Sequence, residues 1–110
     1  MSQKILQVNF KMKITGAQYK QTYEPVAGVL AAVPGLVWKV WIVNDQEHEA
    51  GGIYLFDSEA SMKAFMGGEI VASVMANSDL SDFSVKTFDI IEDLSAVTRG
   101  PVKSALNIAV

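Results

Sequence analysis

The stretch "VWKVWIVNDQEHEAGGIYLF", Val37 to Phe56, holds both tryptophans and the only histidine of the chain. Its pattern predicts two strands, Leu36 to Asn44 and Glu49 to Phe56, joined by the loop "DQEH". That loop lacks the Asn-Gly signature of a two-residue hairpin, so a looser connection is expected. On the first of these strands Leu36, Trp38, Val40 and Ile42 form one row, and Val37, Lys39, Trp41 and Val43 form the other. Both rows are too apolar for open solvent, so the sheet needs cover on both faces.

Upstream, "KILQVNFKMKI" from Lys4 to Ile14 alternates, with Leu6, Val8, Phe10 and Met12 on one side and Gln7, Asn9 and Lys11 on the other. From Gly16 to Val33, Tyr19, Tyr23, Val26, Ala27 and Leu30 recur at helical spacing. Pro25 inside that stretch predicts a kink, or a helix that starts near it, and Pro34-Gly35 stops it. Downstream, "DSEASMKAFM" opens a helix capped by Asp57 or Ser58 and buried through Met62, Phe65 and Met66. Gly67-Gly68 interrupts it, "EIVASVMAN" resumes it, and a last strand runs from about Asp82 to Ile91. The tail 92–110 shows no clear period.

The order β-α-β-β-α-β in a chain of 110 residues predicts one α+β domain, 1–110, folded as a ferredoxin-like sandwich with a four-stranded antiparallel sheet. Its helices cover one face only. The other apolar face then calls for a partner, most simply a second copy related by a two-fold axis. A homodimer forming a dimeric α/β barrel is expected.

Composition narrows the function. The chain is 50% apolar and 19% charged, with net charge −3, eight scattered lysines and one arginine, Arg99. A nucleic-acid surface needs clustered cations, so no nucleic acid is expected as partner. The absence of cysteine excludes thiolate catalysis and cysteine-held metals, and one histidine leaves metal binding without support. No apolar run reaches membrane-spanning length and the first ten residues lack a signal-peptide core, so a cytoplasmic protein without membrane contact is expected.

Several side chains qualify as site residues, each with a plainer role beside it. Trp38 and Trp41 face opposite sides of their strand. Assigning Trp38 to the helix side leaves Trp41 and Lys39 on the inter-sheet side. There Trp41 either packs or walls a pocket for a flat aromatic, and Lys39 either snorkels to an edge or serves as a cation for a phenolate-like ligand. Asn9 bonds across the interface or stabilises an oxyanion. His48, in "QEHEAG", is a solvated loop residue or a general base. Gly51-Gly52 weakens its strand unless it makes room for an aromatic, such as Trp41, or for a ligand, and Tyr54 continues the wall.

With these residues in view, "GLVWKVW" and "HEAGGIYLF", followed by the "DSEASMKAFM" helix and the "VKTFDI" strand, resemble the YdhR-type family. These small proteins of the dimeric α/β-barrel superfamily are named as monooxygenases. The resemblance implies a ferredoxin-like dimer with a pocket between sheet and helices. It also implies kinship with quinol and anthrone oxygenases that use no flavin, haem or metal, dioxygen being co-substrate. A monooxygenase acting on a small aromatic is therefore expected, with His48 and Asn9 as catalytic groups and Trp41, Tyr54 and Lys39 binding substrate. A non-catalytic ligand-binding or stress-response module, and an isomerase or lactonase of the superfamily, are the alternatives. Haem-degrading relatives carry an axial histidine on a helix; the second helix here has none.

Overall fold

The computed structural model describes residues 2–102. The elements follow in the order β1 (Lys4–Met12), α1 (Gly16–Ala31), β2 (Leu36–Asn44), β3 (Glu49–Phe56), α2 (Glu59–Met66), α3 (Glu69–Met75), β4 (Leu80–Asp89) and α4 (Glu92–Val97). The four strands form one antiparallel sheet in the order β2-β3-β1-β4, the ferredoxin-like arrangement. The hairpin strands match the expected bounds, while β4 starts and ends two residues early. The tail begins as the short helix α4; residues 103–110 lie outside the described part. No helix among the described residues is long and apolar enough to cross a membrane.

Local chemistry sets the helix ends. Thr15 and Gln18 form a capping box at α1: Gln18 N donates to Thr15 Oγ1, and Thr15 N donates to Gln18 Oε1. The helix therefore begins at Gly16 and runs through Pro25, rather than starting at the proline. Gly16 N also donates to Asp45 Oδ1 at 2.6 Å, tying the start of α1 to the hairpin loop. Ser58, not Asp57, caps α2, its hydroxyl accepting from Ser61 N. Gly67-Gly68 divides α2 from α3 as the sequence predicts.

The core lies between the sheet and the helices. Leu6, Phe10 and Met12 of β1 point into it and are buried, while Gln7, Asn9 and Lys11 project from the outer face. One cluster gathers Leu6, Leu30, Tyr54, Phe56, Met62 and Phe65; a second gathers Phe10, Met12, Tyr19, Ala50 and Leu80. Burying a side chain such as Leu6 or Phe56 in full contributes about 1.5–3 kcal/mol.

On β2 the structure corrects the expected facing. Leu36 pairs with Phe56 and Trp38 with Leu55, so Val37 is an extra residue at a bulge. One extra residue inverts every side chain beyond it. Leu36 keeps to the helix side, but Trp38, Val40 and Ile42 turn to the outer face, and Lys39, Trp41 and Val43 turn toward the helices. Trp38 there donates its indole N–H to the Pro101 carbonyl at 2.8 Å, holding the tail beyond α4 against the sheet.

Candidate active site

The inverted row brings Lys39 and Trp41 over β3, where Lys39 pairs with Tyr54 and Trp41 with Gly52. Gly52 has no side chain, and the space is filled by the lysine: a Cβ there would lie 2.4 Å from Lys39 Cε. Lys39 Nζ sits 3.3 Å from the centre of the Trp41 ring and 4.7 Å from that of Tyr54. The sequence suggested that the glycine pair makes room for Trp41 or a ligand; Gly52 instead makes room for the lysine. Gly51 is different, because its Cβ would strike the Val8 carbonyl at 1.9 Å; it permits β1 and β3 to approach.

Around the amine is a void of about 50 Å³ between the two core clusters. Its walls are Val8 and Phe10 of β1, Phe83 and Val85 of β4, Phe65 and Met66 of α2 and the apolar face of α3. Tyr19 and Tyr23 of α1 close it on a third side. The same two tyrosines and Trp41 form the wall of an outer groove of about 490 Å³ between α1 and β2, which Lys20, Glu24 and Asp45 rim. A flat aromatic fits a groove of that size, whereas the inner void admits only a small group.

Electrostatics make this lysine unusual. No carboxylate lines the void, and no acidic side chain among the described residues pairs with Lys39. Burial pushes its pKa down to about 7. The two ring faces act in the opposite sense, favouring the ammonium. Burial also pushes the Tyr54 phenol up to about 12. The Tyr19 phenol rises further, through burial and then through Tyr54 and Tyr23 beside it. These two phenols thus stay protonated at neutral pH. Tyr23 accepts a hydrogen bond from Asn77 Nδ2 at 2.8 Å. The Tyr19 and Tyr54 hydroxyls, on residues 7% and 8% exposed, have no hydrogen-bond partner among the described residues.

The structure brings together three of the five residues expected at the site: Trp41, Tyr54 and Lys39. The other two lie elsewhere. Asn9 is on the outer sheet face, accepting from Gln7 Nε2 at 3.0 Å. His48 is exposed on the hairpin loop, with φ 51°, and its carbonyl accepts from Met12 N. Trp41, Tyr54 and Asn9 line no common void, since strand alternation sends Asn9 to the face opposite Tyr54. Tyr19 and Tyr23 also line both cavities, although the sequence pattern marks them only as a helix face. Their hydroxyls, one helical turn apart on a buried face, were the available signal. Among the described residues no three metal-ligating side chains gather.

Comparison with known proteins agrees with this architecture. A protein of unknown function from Nitrosomonas europaea, NE2512, superposes with a TM-score of 0.63 at 23% identity, over 83% of this chain and 91% of that one. SnoaB, a cofactor-independent oxygenase from Streptomyces nogalater, gives 0.66 at 13% identity, over 83% and 95%. The haem degrader MhuD from Mycobacterium tuberculosis, solved with two haems in its active site, gives 0.62 at 15%, over 79% and 95%. At such identities the likeness concerns the fold. No curated protein matches the chain. Residues 5–101 match the family described as "Putative mono-oxygenase ydhR", and the chain belongs to that family.

Proposed function

We propose that the protein is a cytoplasmic, homodimeric oxygenase that oxidises a small hydroxylated aromatic with dioxygen and no cofactor. The observation that carries the reading is Lys39, an amine without an acidic partner that lines the apolar void and lies against the ring of Trp41, a residue the void shares with the aromatic-walled groove. The neutral amine accepts the substrate's phenolic or enolic proton, and the resulting ammonium pairs with the oxyanion just formed. The anion is electron-rich enough to pass an electron to dioxygen. The substrate supplies all the electrons, so one oxygen atom ends in the product and the other in water. Trp41, Tyr19 and Tyr23 hold the ring plane, and the apolar walls exclude water from the reacting centre. Haem fits poorly here: no histidine lines either cavity, so an iron would find no axial imidazole.

Asn9 belongs, in this reading, to the dimer interface with Gln7, and His48 takes no part in the chemistry. The outer face supports a second copy: Val40 and Phe88 stand about half exposed on it, and Ile91, Leu94 and Val97 extend the apolar surface from β4 through α4. Such a surface is large for a monomer.

The test is oxygen uptake with a panel of hydroquinones and anthrones. Turnover above autoxidation is expected, falling about 100-fold or more in Lys39→Met, with a raised KM in Trp41→Ala and no change in His48→Ala. Uptake no faster than autoxidation for every compound, alongside tight aromatic binding, points to the non-catalytic module instead. Loss in His48→Ala with retention in Lys39→Met would show that the base has been misassigned.

A further inference from the structure

We infer that Lys39 is also a carbonyl-reactive amine, and that the protein captures small apolar aldehydes as a Schiff base at this position. The inference stands apart from the oxygenase reading, because it concerns a covalent bond to the protein and needs no dioxygen.

The argument begins with what surrounds the nitrogen. A lysine ammonium in an apolar site ordinarily finds a carboxylate; this one has two ring faces and no acidic partner among the described residues. The titratable groups lining the void with it are Tyr54 from β3 and Tyr19 and Tyr23 from α1. The sides facing it from β1, β4, α2 and α3 are apolar throughout, and a shallow cleft on its β2 flank is lined by Ala27, Leu30, Ala31, Leu36, Val37, Trp38 and Trp41, none of them titratable. Burial therefore works against the ammonium and in favour of the free amine, the form that attacks carbonyls.

The product suits the site better than the reactant does. The amine lone pair adds to the aldehyde carbon, a C–N bond forms, and the carbonyl oxygen takes the proton that the nitrogen sheds. Loss of one water from that carbinolamine leaves a neutral imine. Amine plus aldehyde thus becomes imine plus water, with no redox partner, and the imine nitrogen, less basic than the amine, takes up a proton less readily among apolar walls that penalise charge. The void of about 50 Å³ sets the size class at a few carbons. Met66 and Met75, flexible side chains at its wall, can yield to a short alkyl chain. Hydrated or charged carbonyl compounds, such as sugars and keto acids, find no polar partner beyond the tyrosine hydroxyls.

The experiment treats the whole protein with butanal and cyanoborohydride near pH 7, which traps an imine as a stable secondary amine. Intact mass and peptide mapping then read the sites. The expected result is one butyl group on Lys39, gained about tenfold or more faster than on exposed Lys20 or Lys63, and no stable adduct when the reductant is omitted. Its yield should level off above neutral pH while that of the exposed lysines continues to climb toward pH 10. Lys39→Arg should remove the fast site; the pH profile, taken on the unmodified sequence, holds even where that variant folds poorly. Labelling of Lys39 no faster than that of the exposed lysines, or a fast-labelling lysine that survives in folded Lys39→Arg, would overturn the inference; the α-amino group, reactive near pH 7 in either protein, is mapped separately.

Discussion

Gly51 and Gly52 are adjacent in one strand, yet substituting each with alanine should have opposite consequences. Both sit in extended backbone that any residue adopts, so the difference lies in what the new methyl group meets. At Gly52 it meets Lys39 Cε at 2.4 Å and Tyr54 Cε1 at 3.1 Å. The lysine end is flexible and can swing out, and the tyrosine needs to yield only a few tenths of an ångström. Leaving the rings loses about 0.5–2 kcal/mol of cation–π attraction. Relief of a desolvated charge offsets that, as does the gain of about 0.4–1 kcal/mol from restricting the unfolded chain. Gly52→Ala should therefore change stability by no more than about 1 kcal/mol while evicting the amine. At Gly51 the methyl meets the Val8 carbonyl at 1.9 Å and Asn9 Cα at 3.0 Å. Both are backbone of β1, which is paired on its other edge to β4 and cannot retreat. Gly51→Ala should cost about 3 kcal/mol or more, through separation of the central strand pair. Urea unfolding followed by tryptophan fluorescence measures both, and the Lys39 εCH₂ chemical shift against pH reports where the amine sits. Comparable losses in the two variants would refute the reasoning, as would a Gly52→Ala protein whose Lys39 still titrates well below an ordinary lysine.

Two further outcomes follow from the same contacts. The folded-state pKa of Lys39, about 7, lies below the ordinary 10.5, so between those values the unfolded chain binds more protons and stability rises with pH; Lys39→Met should therefore stabilise the protein by about 1–3 kcal/mol at pH 6, with the gain fading toward pH 10, and a gain that is absent or independent of pH would contradict it. Trp38→Phe removes the indole N–H that the Pro101 carbonyl accepts, at a cost of about 0.5–1.5 kcal/mol, and should speed tryptic cleavage after exposed Arg99 several-fold; an unchanged rate would mean that this bond does not hold the tail.

The element order, the helix break at Gly67-Gly68 and the inward row of β1 were legible because each rests on local periodicity or on a residue with a fixed backbone preference. The facing of β2 was not. Counting rows from Leu36 passes through the bulge at Val37, and a bulge built without glycine or proline leaves no mark in the sequence. Counting from the other end would have worked. From Asn44↔Glu49 the ladder is regular back to Trp38, setting Trp41 opposite Gly52 and Lys39 opposite Tyr54. Tyr54 lies opposite Leu6, whose row points to the helices on alternation alone. A hairpin with one end at a tight loop is better read outward from that loop, where insertion has least room. The same distinction separates the site residues that came together from those that did not. His48 stands out in the sequence by the kind of side chain it carries. Lys39 acquires its chemistry only from its surroundings: the space left by Gly52 on the neighbouring strand, two rings against it and no acid lining the void. Residue type carries the first property and register carries the second, so a misplaced bulge hides an amine of the second kind while the imidazole stays in plain view.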